Sequence, residues 1–321
     1  MIIIELMGGF GNQLQQYALY KKLKMAGIDV KMDISWFEEE NQQNMEAKRA
    51  LELAYIQGIQ IEACSKEEKE KLLFKNNFFG KIKRKLMPKR MKLFTESGLY
   101  HQDLMEGILS HRITDLYIRG YFACEYYYAD ILPVLRKELS FPLDGCTNKR
   151  KLLTITTDMK GRESVSLHLR RGDYLDEANA AMFGNICTTE YYDAAIKLCL
   201  DRITRPKFFI FSDDTAYAEG FALDLKSKYP DILTEVVSIN HGAESFYDIY
   251  MMSCCRYNIC ANSTFSFWGA RLNAYDNRIM IRPTIHANNQ TFDLEKMYTW
   301  WKGWTFISPQ GDVYGRKTGN A

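Results

Sequence analysis

Between residues 164 and 283 the chain alternates short apolar runs with segments of helical period, and that rhythm leaves few folds open. "SVSLHLR" (164–170), "KFFIFSDD" (207–214), "LTEVVSI" (233–239), "YNICA" (257–261) and "RIMIRP" (278–283) read as strands. The stretches 189–203, 217–229 and 245–255 read as helices, and 262–275 as a loop that opens another. Strands joined through helices pair in parallel, because the crossover needs a dozen or more residues. The N-terminus starts the same way: an apolar strand at 2–6, a glycine-rich loop "MGGFGNQ" at 7–13, a helix at 14–27 and a strand at 28–35. The expected class is α/β, with two Rossmann-like domains facing across a cleft.

The 321 residues exceed what most single cores hold, so two domains are expected. The Pro-, Gly- and polar-rich "SFPLDGCTNKR" (140–150) marks the boundary, giving domains 1–150 and 151–321. Residues 66–98 read as charged and irregular, and 102–139 as helical around a strand at 117–122. A formal net charge of +2 gives no global signal for nucleic acid or membrane. "MIIIEL" has no basic leader and reads as a buried strand rather than a signal peptide. No apolar run approaches the ~20 residues of a membrane helix. Eight scattered Cys without C-x-x-C suit reduced thiols and a cytoplasmic setting. With no D-x-D and no H-E-x-x-H, no metal site is expected.

Ligands in such sheets sit outside the carboxyl ends of the strands, and the polar clusters fall there. Along 164–170, Val165, Leu167 and Leu169 share one face, and Ser166, His168 and Arg170 the other. His168 and Arg170 therefore line something polar. Gly172 lets the chain turn, and Arg offers a fork that fits phosphate oxygens. A structural Arg–Asp pair at a strand end is the plainer alternative. In the first loop, Gly9 and Gly11 permit close backbone approach, and Asn12 and Gln13 add amide donors at a helix start. Leu14 breaks the dinucleotide fingerprint, so a plain turn remains equally good. Asn262, Ser263, Thr264 and Ser266 suit phosphate oxygens at a helix N-terminus, or serve simply as caps. Asp213 fits the N1 and N2 donors of guanine, while Asp213 or Asp214 also fits a helix N-cap. "KIKRKLMPKRMK" (81–92) carries seven basic and no acidic residues. It reads as a solvated helix face, or as a contact for an anionic membrane surface or acidic glycan.

Taken together, "GGFGNQLQQYAL", "GYFACEYYY", "HLRRGDYL", "FIFSDD" and "DIYMMSCCRYNICANSTFSFWGARLN" closely resemble the bacterial α-1,2-fucosyltransferases of glycosyltransferase family eleven. The chain departs at Gln15, where an aromatic is usual, at Phe267, where Trp is common, and at "ACEYYY"; these bear on acceptor choice. The resemblance implies a GT-B fold, GDP-β-L-fucose as donor, no essential metal, and inversion to an α-linkage on a galactose 2-hydroxyl. The acceptor would be a galactose-terminated oligosaccharide or a lipid-linked glycan, with the protein cytoplasmic or peripheral at the inner membrane surface through 81–92. On that resemblance Arg170 neutralises the β-phosphate, His168 contacts the nucleoside, Arg171 supports the loop or a phosphate, Asp213 reads guanine, and Ser263, Thr264 and Ser266 hold phosphates. The C-terminal domain would bind donor and the N-terminal domain acceptor. Asp173, following the arginine pair, is the expected general base.

Overall fold

The computed structural model describes residues 1–43, 48–75, 77–172 and 177–315. Chain contacts divide into two units, Met1–Ser140 and Phe141–Ala321. Unit one holds β1 (Ile2–Glu5), α1 (Phe10–Met25), β2 (Val30–Asp33), α2 (Lys66–Leu73), α3 (Phe78–Leu86), β3 (Leu93–Thr95), α4 (Gln102–Leu109), β4 (Leu116–Arg119) and α5 (Leu132–Glu138). Its four strands lie in the order β2-β1-β4-β3, all parallel. Ile2, Ile3 and Ile4 of the central β1 are fully buried, as an apolar run in a doubly covered parallel sheet must be.

Unit two holds α6 (Lys149–Lys160), β5 (Ser164–Leu169), α7 (Glu177–Phe183), α8 (Thr189–Leu200), β6 (Lys207–Ser212), α9 (Thr215–Lys228), β7 (Leu233–Val237), α10 (Tyr247–Ser253), β8 (Tyr257–Ile259), α11 (Thr264–Leu272), β9 (Ile279–Pro283), α12 (Leu294–Trp300), β10 (Trp304–Ile307) and β11 (Val313–Tyr314). The sheet runs β11-β10-β9-β8-β5-β6-β7, parallel except for the antiparallel β11. Without β11 this is the doubly wound Rossmann order, and the winding reverses between β5 and β8. Val165, Leu167 and Leu169 enter the core against Tyr191, Ala195 and Ile196 of α8 and Ala218 of α9. On the opposite face Ser166 accepts from Asn258, whose Nδ2 also donates to Met252 O; Asn273 Nδ2 in turn donates to Asn258 Oδ1 at 2.8 Å. The face alternation read from the sequence is therefore present, and the polar face is filled by the protein's own amides.

Four expectations change. The loop at 7–13 is shorter, because Gly8 takes a left-handed φ of +83° and the extended Gly9 then caps α1, so Phe10 already lies in the helix. The segment 66–98 is ordered by a capping box, Ser65 with Glu68, that starts α2, and by the Asn77 cap that starts α3. Glu125–Tyr127 and Ala129–Ile131 form short 3-10 turns instead of a continuous helix, with Phe122, Tyr127 and Tyr100 packed ring on ring. The unit boundary falls at the first bond of 140–150. Ser140 exchanges two backbone hydrogen bonds with Gln57, while Phe141 stacks on Phe246 and Tyr250. Thr147 donates to Glu244 and Asn148 to Ile239 O, so 141–150 belong to unit two.

Candidate active site

The end of β5 is where the two windings of unit two part, and the chain places two arginines there. Parallel register sets Leu169 beside Ser212, so the residues following each strand arrive together. Arg170 Nη1 pairs with Asp213 Oδ2 at 2.9 Å, and Asp213 Oδ1 accepts from Arg171 N at 2.9 Å. Gly172 has no Cβ for a packing reason: one there would stand 2.5 Å from Asp213 Oδ2. Arg171 lies with its guanidinium carbon 4.1 Å from the Tyr217 ring centroid and its Nε 3.8 Å from Asp214. Asp214 caps α9, accepting from Tyr217 N at 3.0 Å. The four charged groups form one clamp tying β5 to β6.

Beside the clamp lies a cavity of about 270 Å³. Arg170 and Arg171 line it with Phe183 and Asn185, Cys187 and Thr188, Tyr192, Tyr217 and Asn262. Tyr192 donates its hydroxyl to His168 O at 2.8 Å, which fixes the end of β5. Thr188 caps α8. Asn262 is a buried staple: its Nδ2 donates to Phe183 O and His286 O, and its Oδ1 accepts from Cys187 Sγ. A pair of cations in a concave, partly apolar wall is suited to an anion attached to a ring system.

The sequence-predicted residues are not all gathered here. Arg170, Arg171 and Asn262 line the cavity; Asp213 is outside the lining, its carboxylate paired with Arg170 Nη1 and accepting from Arg171 N. His168 is buried and outside the lining, its ring centroid 6.0 Å from that of Phe265. Ser266 is also buried, its Oγ donating to Ser263 O. Ser263 occupies the N-cap of α11 without a side-chain cap bond, and Thr264 alone of the three hydroxyl residues is half-exposed. Asp173 lies outside the described residues.

In unit one, the glycine-loop residues separate into distinct tasks. Gly11 is buried inside α1. Glu52 accepts a hydrogen bond from the backbone of Phe10, so the protein supplies its own carboxylate at that helix start; desolvation still raises its pKa. Gln13 donates to Gly8 O and Ala50 O, Gln15 to Tyr121 O and Gln16 to Gly120 O, and all three amides are buried. Asn12 is half-exposed; its Oδ1 accepts from Gln15 at 3.4 Å. Cavity residues that sequence reasoning missed include Tyr217 and Cys187. Tyr217, three residues after Asp214 in an N-cap pattern, was findable; Cys187 carried no sequence signal.

Two buried histidines set a pH dependence. Desolvation, then Arg170, pushes His168 down to about 3; desolvation, then Arg282 and Arg271, pushes His286 down to about 4. Both rings are neutral when folded, so their contribution is present above about pH 6.5, the unfolded value, and is lost as pH falls. Asp248 acts oppositely: burial raises it to about 7, so its share is present below the ordinary carboxylate range and lost as pH rises. Two protons against one make stability fall as pH drops from about 6.5 toward 4, a slope that the raised carboxyls of Glu52 and Glu96 reduce. Urea unfolding across that range should show this slope, and His168→Gln should flatten it. A flat wild-type profile would contradict the buried neutral rings.

A Rossmann-order sheet with cations at its switch point, preceded by a second parallel α/β unit, is the GT-B architecture of glycosyltransferases. A solved structure of an Arabidopsis thaliana FUT1 mutant in complex with GDP shares the fold at TM-score 0.50 and 12% identity, covering 89% of this chain and 71% of that one. The profile of glycosyl transferase family 11 matches residues 101–308, and the chain belongs to that family. It is 27% identical to the O-antigen biosynthesis glycosyltransferase WbnK of Escherichia coli over 87% of this chain and 92% of the relative. It is 29% identical to an alpha-1,2-colitosyltransferase of Escherichia coli over 88% of this chain and 91% of that one. No described helix is long and apolar enough to cross a membrane.

Proposed function

We propose that this glycosyltransferase moves L-fucose from GDP-β-L-fucose to the 2-hydroxyl of a galactoside, inverting the anomeric centre to an α-1,2 linkage. The observation that carries the reading is the Arg170–Asp213 clamp beside a cavity at the switch point. Transfer leaves negative charge growing on the departing diphosphate while the sugar carbon becomes oxocarbenium-like. A fixed guanidinium stabilises that charge before reaction begins. In this reading Arg170 meets the β-phosphate, Arg171 a second phosphate oxygen or the loop, and Tyr217 stacks beneath Arg171 as an orienting surface. Asp213 positions the arginines. Thr264 and the α11 backbone offer further phosphate donors. Inversion needs one base to take the acceptor proton, and Asp173 is proposed for it from sequence alone. We propose no metal, since the arginines carry the charge a divalent ion would otherwise balance.

A second reading keeps the mechanism and changes the sugar. One relative is named for colitose, a 3-deoxy form of fucose, so the donor here could lack that hydroxyl. A transferase of different linkage and a nucleotide-sugar binder without catalysis are the remaining alternatives.

One experiment separates them. GDP should raise the melting temperature well above the effect of ADP or UDP at equal concentration. GDP-fucose should then be consumed on a β-galactoside in EDTA, with an α-1,2 product by linkage analysis. Equal stabilisation by all three nucleotides would sink the guanine assignment. Loss of transfer in EDTA, restored by Mg²⁺ or Mn²⁺, would sink the metal-free one. Turnover only with the 3-deoxy donor would select the second reading.

A further inference from the structure

The apolar side of α3 is turned away from the protein. Phe78 is 72% exposed, Phe79 74% and Leu86 72%, with Ile82 at 38% and the following Met87 at 42%. Gly80 is the helix's buried residue, and it lies on the opposite side. At about 100° per residue Phe78, Ile82, Leu86 and Phe79 fill one continuous arc of about 100°. Lys85 borders that arc on one edge and Lys83 on the other. Nearby stand Lys81, Lys89 and Arg90, and among the described residues none of these five cations pairs with a carboxylate; Lys92 pairs with Asp115 at 2.9 Å. Exposing so much contiguous apolar surface in water is unfavourable unless something covers it.

We propose that α3 is an interfacial anchor that seats the protein on an anionic phospholipid bilayer. The charge pattern selects the occupant. Aromatic and aliphatic side chains sink to the acyl boundary while flanking lysines reach headgroup phosphates, the arrangement of helices that lie in a membrane plane. A second copy of the same face would bring its cations against these. An acidic polysaccharide would satisfy the lysines and leave Ile82 and Leu86 in water. The helix is about 13 Å long, enough for shallow attachment and far short of a span. Binding would be reversible and strengthened by each nearby cation.

Co-sedimentation with vesicles tests this without any use of enzyme activity, so it stands apart from the donor assignment. The full chain should pellet with vesicles of phosphatidylglycerol and phosphatidylethanolamine and stay in solution with pure phosphatidylcholine. Phe78→Ser with Phe79→Ser should lower partitioning about tenfold or more, and Lys81→Glu with Lys83→Glu and Lys85→Glu by a similar factor. Both variants should melt as the wild type does, since the changed side chains are exposed. In high salt the wild type should retain more binding than the Phe78→Ser, Phe79→Ser variant. Failure of the wild type to pellet with the anionic vesicles would overturn the proposal. So would binding that both variants retain, or a dimer in sedimentation velocity that the Phe variants abolish in the absence of vesicle binding.

Discussion

Arg170→Ala should lower kcat/KM for glycosyl transfer by roughly a hundredfold to a thousandfold, the range for removing one preorganised donor aimed at developing charge. Arg170→Lys separates charge from shape. Lysine keeps the cation but cannot present two parallel N–H groups, so a loss of about tenfold or more is expected. The reason for expecting geometry to matter is the clamp: Asp213 holds both the guanidinium and the Arg171 backbone N–H, each at 2.9 Å. Asp213→Asn tests that link. It keeps one acceptor and the volume but loses the ion pair, and it should reduce transfer less than Arg170→Ala while weakening GDP stabilisation. Normal turnover in Arg170→Lys would move the phosphate role to Arg171. Steady-state kinetics with each variant, beside the GDP-induced shift in Tm, reads all three.

Asn12 and Gln16 lie one helical turn apart and should fail in different ways. Gln16 is buried, accepts from Met7 N at 3.0 Å and donates to Gly120 O at 2.9 Å. Gln16→Ala leaves two backbone groups unpaired and should cost about 1–3 kcal/mol of folding stability. Asn12 accepts one long side-chain bond, from Gln15, and is half-exposed in the first turn of α1. Asn12→Ala should melt nearly as wild type yet lose about 1–4 kcal/mol of transition-state stabilisation. Its GDP-induced shift should persist, because the arginine cavity is built from unit two alone. A variant that both melts and transfers normally would remove Asn12 from the reaction. Thermal unfolding, GDP binding and kcat/KM for the two variants decide between the roles.

Period and polarity made the sheet legible. Five of the seven strands of unit two were readable because each is a short apolar run between helices, and Arg170 and Arg171 because a strand buried on both faces has no use for cations at its end; β10 and β11 lie beyond 278–283, which reads as the last strand, and were missed. Glycine misled. "MGGFGNQ" looks like one loop, but a single left-handed residue, Gly8, completes the turn and releases the rest into α1. The burial of two polar residues was not legible either: Ser266 and His168 both stand inside the packed unit. Asp213 and Arg170 are 43 positions apart, and only the register of β5 on β6 reveals that they meet. Local pattern carries local structure; which polar group satisfies which is a property of the packed sheet.

The two-residue β11 has a practical consequence. It runs antiparallel along β10, pairing Val313 with Ile307 and Tyr314 with Phe306. The strand it covers is apolar, with Phe306 and Ile307 fully buried. A chain shortened before Val313 would leave a row of β10 backbone donors and acceptors unpaired at the rim of the remaining six-stranded sheet, a template for aggregation between molecules. Trimming for crystallisation or display should therefore stop after Gly315, and a tag fused beyond that point leaves the rim sealed.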